Sequence, residues 1–224
     1  MTTTSALVIN EANGPITKGT IERREVGPND VRVAITYSGI CHSDVHQARS
    51  EWGSDIFPMV PGHEIIGHVV EVGSAVTKFQ VGQAVGVGVF VDSCRECDAC
   101  KSNLESYCER GPVGAYNGYG YDGAVQYGGY SKEIVTDEHF VLHVADGVDL
   151  AEAAPLLCAG ITVYSPLKHW KAGPGKKVAI LGMGGLGHLA VKFAVAMGAE
   201  VTVLGHSLGK KADALAFGAV DYRS

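Results

Sequence analysis

Short runs of β-branched and apolar residues, broken by Gly, Pro and Asp, fill the first two-thirds of the chain. Residues 31–35, 65–72, 85–91 and 133–135 each read as a strand. Residues 111–130 are dense in Gly and Tyr and read as a long loop returning to a strand through Gly128-Gly129-Tyr130-Ser131. From about residue 155 the pattern changes. Residues 176–181 predict a buried strand, and Leu186, Leu189, Ala190, Phe193, Ala194 and Met197 then recur at helical spacing before Gly198. Residues 201–204 predict the next strand, 208–217 a helix, and 220–222 the start of a third strand. The expected architecture is a β-rich domain over 1–154 and an α/β domain over 155–224. The second domain holds only the first βαβαβ half of a doubly wound sheet. An open parallel edge exposes unpaired backbone, so the chain is expected to be truncated or completed by a partner.

Composition narrows the function classes. The chain has 224 residues, 46% hydrophobic and 19% charged, enough for a substantial core. A formal net charge of −6 without a basic stripe argues against nucleic acid. Residues 1–5 lack the charged and apolar regions of a signal peptide, and no apolar run approaches membrane-spanning length. Cysteines kept as metal ligands must stay reduced, which fits a cytoplasmic location.

Four of the six cysteines, Cys94, Cys97, Cys100 and Cys108, are spaced C-x2-C-x2-C-x7-C. Such short spacings wrap a tetrahedral ion, and four thiolates point to structural zinc in a lobe over about 92–110. An iron–sulfur cluster prefers other spacings, and a disulfide knot suits smaller secreted domains. A buried lone cysteine is usually a small core residue. Cys41 opens Cys41-His42-Ser43-Asp44-Val45-His46, however, and His63 follows in Pro61-Gly62-His63-Glu64. With Cys158, these residues form a candidate catalytic zinc set whose fourth position is open to water or substrate.

Gly182-Met183-Gly184-Gly185-Leu186-Gly187 lies between a predicted strand and an amphipathic helix, the context in which a glycine fingerprint binds a dinucleotide. Gly182 permits the tight turn, Gly184 admits the pyrophosphate and Gly187 lets the helix lie close to the strand. At the end of the second strand, where an NAD site places a carboxylate, the chain reads Leu204-Gly205-His206-Ser207-Leu208-Gly209-Lys210-Lys211. A hydroxyl and two lysines suit a 2′-phosphate, so NADP is expected over NAD. The lysines alone would otherwise read as a solvated helix face.

Gly62-His63-Glu64-x2-Gly67-x5-Gly73-x2-Val76 resembles the zinc-containing alcohol dehydrogenase signature of the medium-chain dehydrogenases. The cysteine lobe and glycine fingerprint follow in the order of that family. The 41–46 box, Tyr116-Asn117 and the 157–164 segment are most similar to its cinnamyl alcohol dehydrogenase branch. The resemblance implies a GroES-like β-barrel catalytic domain followed by an incomplete Rossmann domain. Two cysteines and one histidine are the known ligand set of alcohol dehydrogenase. By position, Cys41, His63 and Cys158 would hold catalytic zinc, with Glu64 a neighbouring or transient ligand. Asp44 would accept the other ring N–H of His63. Ser43 would take the alcohol proton and pass it by the cofactor ribose toward His46. Gly182, Gly184, Gly185, Leu186 and Gly187 would hold the pyrophosphate, Ser207 and Lys210 the 2′-phosphate, and Thr162 would lie near the nicotinamide.

The implied activity is hydride transfer between a primary alcohol and NADP(H), favouring aldehyde reduction, with two zinc ions, a small-molecule substrate and a homodimer for the complete protein. The competing expectation is a zinc-stabilised fragment without turnover. A zinc-free quinone reductase of the same superfamily is disfavoured by both metal sets. His42 is a candidate cofactor-phosphate contact, and Trp52 and Phe90 are candidate pocket walls. His68, His139, His143, His169 and His188 belong to no motif.

Overall fold

The computed structural model describes residues 1–53 and 55–224. The chain divides into two compact units, Met1–Leu157 and Cys158–Ser224, three residues later than the expected boundary.

In the first unit, β1 (Thr2–Ile9) and β2 (Ile16–Arg23) form an antiparallel hairpin in continuous register. β3 (Asp30–Ser38) is followed by α1 (His42–Ala48), β4 (Ile65–Val72), β5 (Ala84–Val87) and β6 (Phe90–Asp92). The short α2 (Asp98–Lys101) precedes β7 (Val113–Gly114), β8 (Glu133–Asp137), β9 (Val141–His143) and α3 (Leu150–Ala153). The main sheet is antiparallel in the order β8-β3-β4-β5-β9. Its inward positions, Val31, Val33, Ile65, Val69, Val85, Val87 and Ile134, are almost fully buried around Phe79. Alternation along each strand sets this face, because successive side chains point to opposite sides.

The second unit starts with α4 (Ala159–His169) and continues β10 (Lys177–Leu181), α5 (Gly185–Ala196), β11 (Glu200–Leu204), α6 (Lys211–Ala216) and β12 (Asp221–Arg223). The three strands are parallel in the order β10-β11-β12. Val191, Ala194, Val201, Val203 and Ala214 form its buried centre.

Several elements differ from the pattern-based expectation. The 85–91 run is two strands, β5 and β6. The glycine-rich loop contains β7 and an isolated bridge between Tyr119 and Val125. The predicted 208–217 helix opens as a 3-10 turn over Leu208–Lys210 before α6. The β1–β2 hairpin, α1 and α4 were not expected. No single helix among the described residues is long and apolar enough to cross a membrane.

Candidate metal and cofactor sites

Cys41 stands at the N-cap of α1. Its backbone N–H donates to Asp44 Oδ2 at 3.0 Å, and the Asp44 N–H donates back to the Cys41 carbonyl at 3.1 Å. This reciprocal cap starts a seven-residue helix whose length alone would leave it marginal. It also turns the Cys41 thiol and the Ser43 hydroxyl to the same place, with Cys41 Sγ 3.5 Å from Ser43 Oγ.

The segment before β4 brings up the second pair of residues. Gly62 has φ +103°, and a Cβ there would overlap the backbone and ring of Tyr130, so the chain can run beside residues 129–130 only as glycine. His63 and Glu64 follow, both buried. A Cβ at Gly39 would overlap the Glu64 carboxylate, so the small residue there makes room for it. Cys158 comes directly after Leu157, which packs on Ile66, Ala153 and Ala154. Ligand atoms of Cys41, His63, Glu64 and Cys158 all lie within 4.8 Å of one another.

Asp44 organises this group from behind. Its Oδ1 accepts from His63 Nδ1 at 3.1 Å, the Gly62 N–H at 3.1 Å and the Tyr116 hydroxyl at 2.7 Å. Its Oδ2 accepts from the Cys41 N–H and from the Tyr130 hydroxyl at 3.0 Å. Burial alone would raise the Asp44 carboxyl, but these donors outweigh it and hold it below its usual range. The charge it retains favours the Nδ1–H tautomer of His63, which leaves the ring lone pair on Nε2. Burial also opposes ionisation of Cys41; hydrogen bonds from Ser43 and His63 overcome it and bring the thiol down.

The other cluster lies wholly in the loop between β6 and β7. Cys94, Cys97, Cys100 and Cys108 converge within the same 4.8 Å limit. Four thiolates about 2.3 Å from one zinc ion stand roughly 3.8 Å apart along each tetrahedral edge, and Cys94 Sγ and Cys100 Sγ are 3.8 Å apart. Backbone N–H groups of Cys94 and Cys97 point at sulfurs of Cys108 and Cys94, each at 3.4 Å. The Tyr121 hydroxyl, with the backbone N–H groups of Cys94 and Arg110, outweighs burial and pushes the Cys108 thiol down to about 6, toward the thiolate that metal requires. Arg95, left-handed at φ +57°, ties the lobe to β8 by donating to Asp137 at 2.7 Å, and Glu105 pairs with His139 at 2.6 Å. His139, which belongs to no motif, is thus part of the lobe's attachment. The donor sets of both clusters fit zinc.

His46 contacts the Glu51 carboxylate and stacks on Trp52 with ring centroids 5.0 Å apart. Asn117, left-handed at φ +54°, accepts from the Ile56 N–H at 2.7 Å and donates to Asp55 at 3.0 Å.

In the second unit, Gly182 has φ +82° and a Cβ at Gly187 would overlap the Gly182 carbonyl. No atom lies within 4 Å of the Cβ position at Gly184 or Gly185, so the turn is open where a pyrophosphate would approach. Leu186, in the first turn of α5, is exposed beside these glycines. Ser207 and Lys210 lie on the segment after β11, and Lys210 Nζ donates to the Met183 carbonyl at 2.7 Å, bringing its charge over the glycine turn. Thr162, on α4, lines a groove of about 430 Å³ with Val178 and Ile180.

A family model, the alcohol dehydrogenase GroES-like domain, matches residues 27–146. The chain belongs to this alcohol dehydrogenase family. This member is 60% identical to the NADP-dependent alcohol dehydrogenase C 1 of Mycolicibacterium smegmatis over 99% of its own length and 64% of that relative's. It is 57% identical to a probable formaldehyde dehydrogenase of Bacillus subtilis, covering 98% of this chain and 63% of the relative. Among solved structures, a cinnamyl alcohol dehydrogenase of Sorghum bicolor aligns with a TM-score of 0.94 at 43% identity, covering 100% of this chain and 64% of that one. The Helicobacter pylori enzyme complexed with NADP(H) aligns at 0.93 and 47%, covering 99% and 64%. The chain thus spans a little under two-thirds of these relatives.

Tyr116 and Tyr130, which hold Asp44, had no assigned role in the sequence: Tyr116 was marked only as part of the Tyr116-Asn117 resemblance, and Tyr130 only as the end of the glycine-rich loop.

Proposed function

We propose that the chain is the metal-holding and cofactor-entry part of a zinc-dependent, NADP-linked oxidoreductase that interconverts primary alcohols and aldehydes, favouring aldehyde reduction. The observation that carries this reading is the convergence of Cys41, His63 and Cys158 beside Glu64. The names of the M. smegmatis and H. pylori relatives support NADP. Zinc held by two thiolates and one neutral imidazole supplies Lewis acidity to a substrate oxygen, and NADP(H) the hydride.

The chain's own residues do the rest. Cys41, His63 and Cys158 would hold the catalytic zinc, with Glu64 as a neighbouring carboxylate. Asp44 keeps the His63 ring oriented. Ser43 Oγ, beside Cys41, exchanges the proton of the substrate hydroxyl. His46, partly exposed on Trp52 and Glu51, exchanges it with solvent; such relays contribute roughly 10²–10⁴-fold. Gly182, Gly184, Gly185, Leu186 and Gly187 receive the pyrophosphate, Ser207 and Lys210 the 2′-phosphate, and Thr162 lies toward the nicotinamide. Cys94, Cys97, Cys100 and Cys108 hold a second, structural zinc. Thiolate ligation suits a cytoplasmic setting, and the complete protein is assigned as a homodimer.

Metal analysis tests the ligand set. The wild type is expected to carry two zinc ions per chain and Cys158→Ser to keep one. Two ions in the variant would refute the assignment. Because the chain spans 64% of its relatives, the alternative is metal binding without turnover. NADPH consumption with cinnamaldehyde separates the two readings.

A further inference from the structure

The segment after β11 is held from two sides. The Gly205 N–H donates to the Arg223 carbonyl at 2.8 Å, and the Tyr222 hydroxyl donates to the Ser207 carbonyl at 2.6 Å, both from β12. On the other side Lys210 reaches the Met183 carbonyl of the glycine turn. Tyr222 is a core residue, 5% exposed, packed with Val201 and Val203. Its ring fills the core as phenylalanine would, but its hydroxyl is spent on an exposed loop. The chain makes room for that reach: a Cβ at Gly205 would overlap the Tyr222 hydroxyl. Ser207 is exposed at the N-cap of the 3-10 turn, and its side chain makes no capping bond to that turn. Its hydroxyl is therefore not committed to the helix end.

We propose that Tyr222 is a positioning residue for recognition of a ribose 2′-phosphate. Holding the Ser207 carbonyl sets the direction of the Ser207 hydroxyl. It also sets the start of the turn that carries Lys210, three residues on, over the glycine loop. The inference rests on the NADP reading above and adds the residue that makes the segment selective.

The test measures binding of 2′,5′-ADP and 5′-AMP to this chain by titration calorimetry. Wild type is expected to favour 2′,5′-ADP. Tyr222→Phe should weaken 2′,5′-ADP about fivefold, the worth of one hydrogen bond, and leave 5′-AMP within about twofold. Gly205→Ala displaces the same hydroxyl by another route and should show the same selective loss. Equal weakening of both nucleotides, or full retention of the preference in either variant, overturns the proposal. A wild type without preference for 2′,5′-ADP overturns the NADP reading, and the proposal with it.

Discussion

At the scale of single residues, Asp44 decides more than any other side chain of the first unit. It is 4% exposed and remains charged because five donors converge on its two oxygens. Tyr116 is one of them and also lies nearly parallel to the His63 ring, with centroids 5.9 Å apart. Burial and the Asp44 charge both push its phenol well above the usual tyrosine range, so it stays a neutral donor at every working pH. Tyr116→Phe keeps the packing and removes that donor. Urea unfolding is expected to show a loss of about 1 kcal/mol; an unchanged midpoint would mean that the bond contributes nothing. The convergence of Cys94, Cys97, Cys100 and Cys108 was legible from their short spacing, and that of Cys41, His63 and Cys158 from the motifs around them. The tyrosines were not legible, because aromatic residues in a glycine-rich loop carry no periodicity and their role exists only once Asp44 has folded beside them.

At the scale of elements, legibility followed the apolar pattern. β3, β4 and β11 are buried on at least one face and announce themselves by Val and Ile; β10 carries the same signal but, against the expectation of a buried strand, is only half-buried at Val178 and Ile180 and leaves Leu181 exposed. The β1–β2 hairpin is written largely in Thr, Ser and Lys, and most of β2 is exposed, so its strands carry little apolar signal. α1 is too short for a helical period and starts on a cysteine rather than a usual cap. α4 contains Gly160, Thr162, Val163 and Pro166, all weak helix formers, with Gly160 its only buried residue; half-buried Leu167 and the Tyr164–Phe193 ring contact pack it on the second unit.

The turn between β2 and β3 makes an element-level prediction. Asp30 accepts from Arg24 at 2.8 Å and from the Gly27 N–H at 2.7 Å. Burial pushes its carboxyl up; Arg24 and the Gly27 N–H outweigh that and hold it below its usual value. A depressed carboxyl stabilises the fold above the unfolded pKa of about 4, and that contribution is lost as pH falls through the lower folded value. Asp30→Asn should therefore be less stable than wild type at neutral pH, with the gap in urea midpoint closing below about pH 4. A gap that stays constant across that range would rule out the pair as the cause.

At the scale of the whole molecule, the two metal clusters differ in the charge they leave behind. The chain carries a formal −6 with its thiols protonated. On the proposed ligation the lobe would lose four protons and gain a dication, a net change of −2. Cys41 and Cys158 would lose two protons and gain a dication, a net change of zero, so that site would accept a negatively charged oxygen without building up charge. Loading both clusters takes the chain to −8, and the whole change comes from the lobe. Metal loading should therefore move the chain toward the anode in native electrophoresis at slightly acid pH. Cys158→Ser should move by the same amount although it binds one ion fewer. Cys108 is already partly ionised near its lowered value of about 6, so the shift should shrink as the pH rises through that value. A Cys158→Ser shift clearly different from wild type would show that the second cluster does not hold its ion as two thiolates and a neutral imidazole.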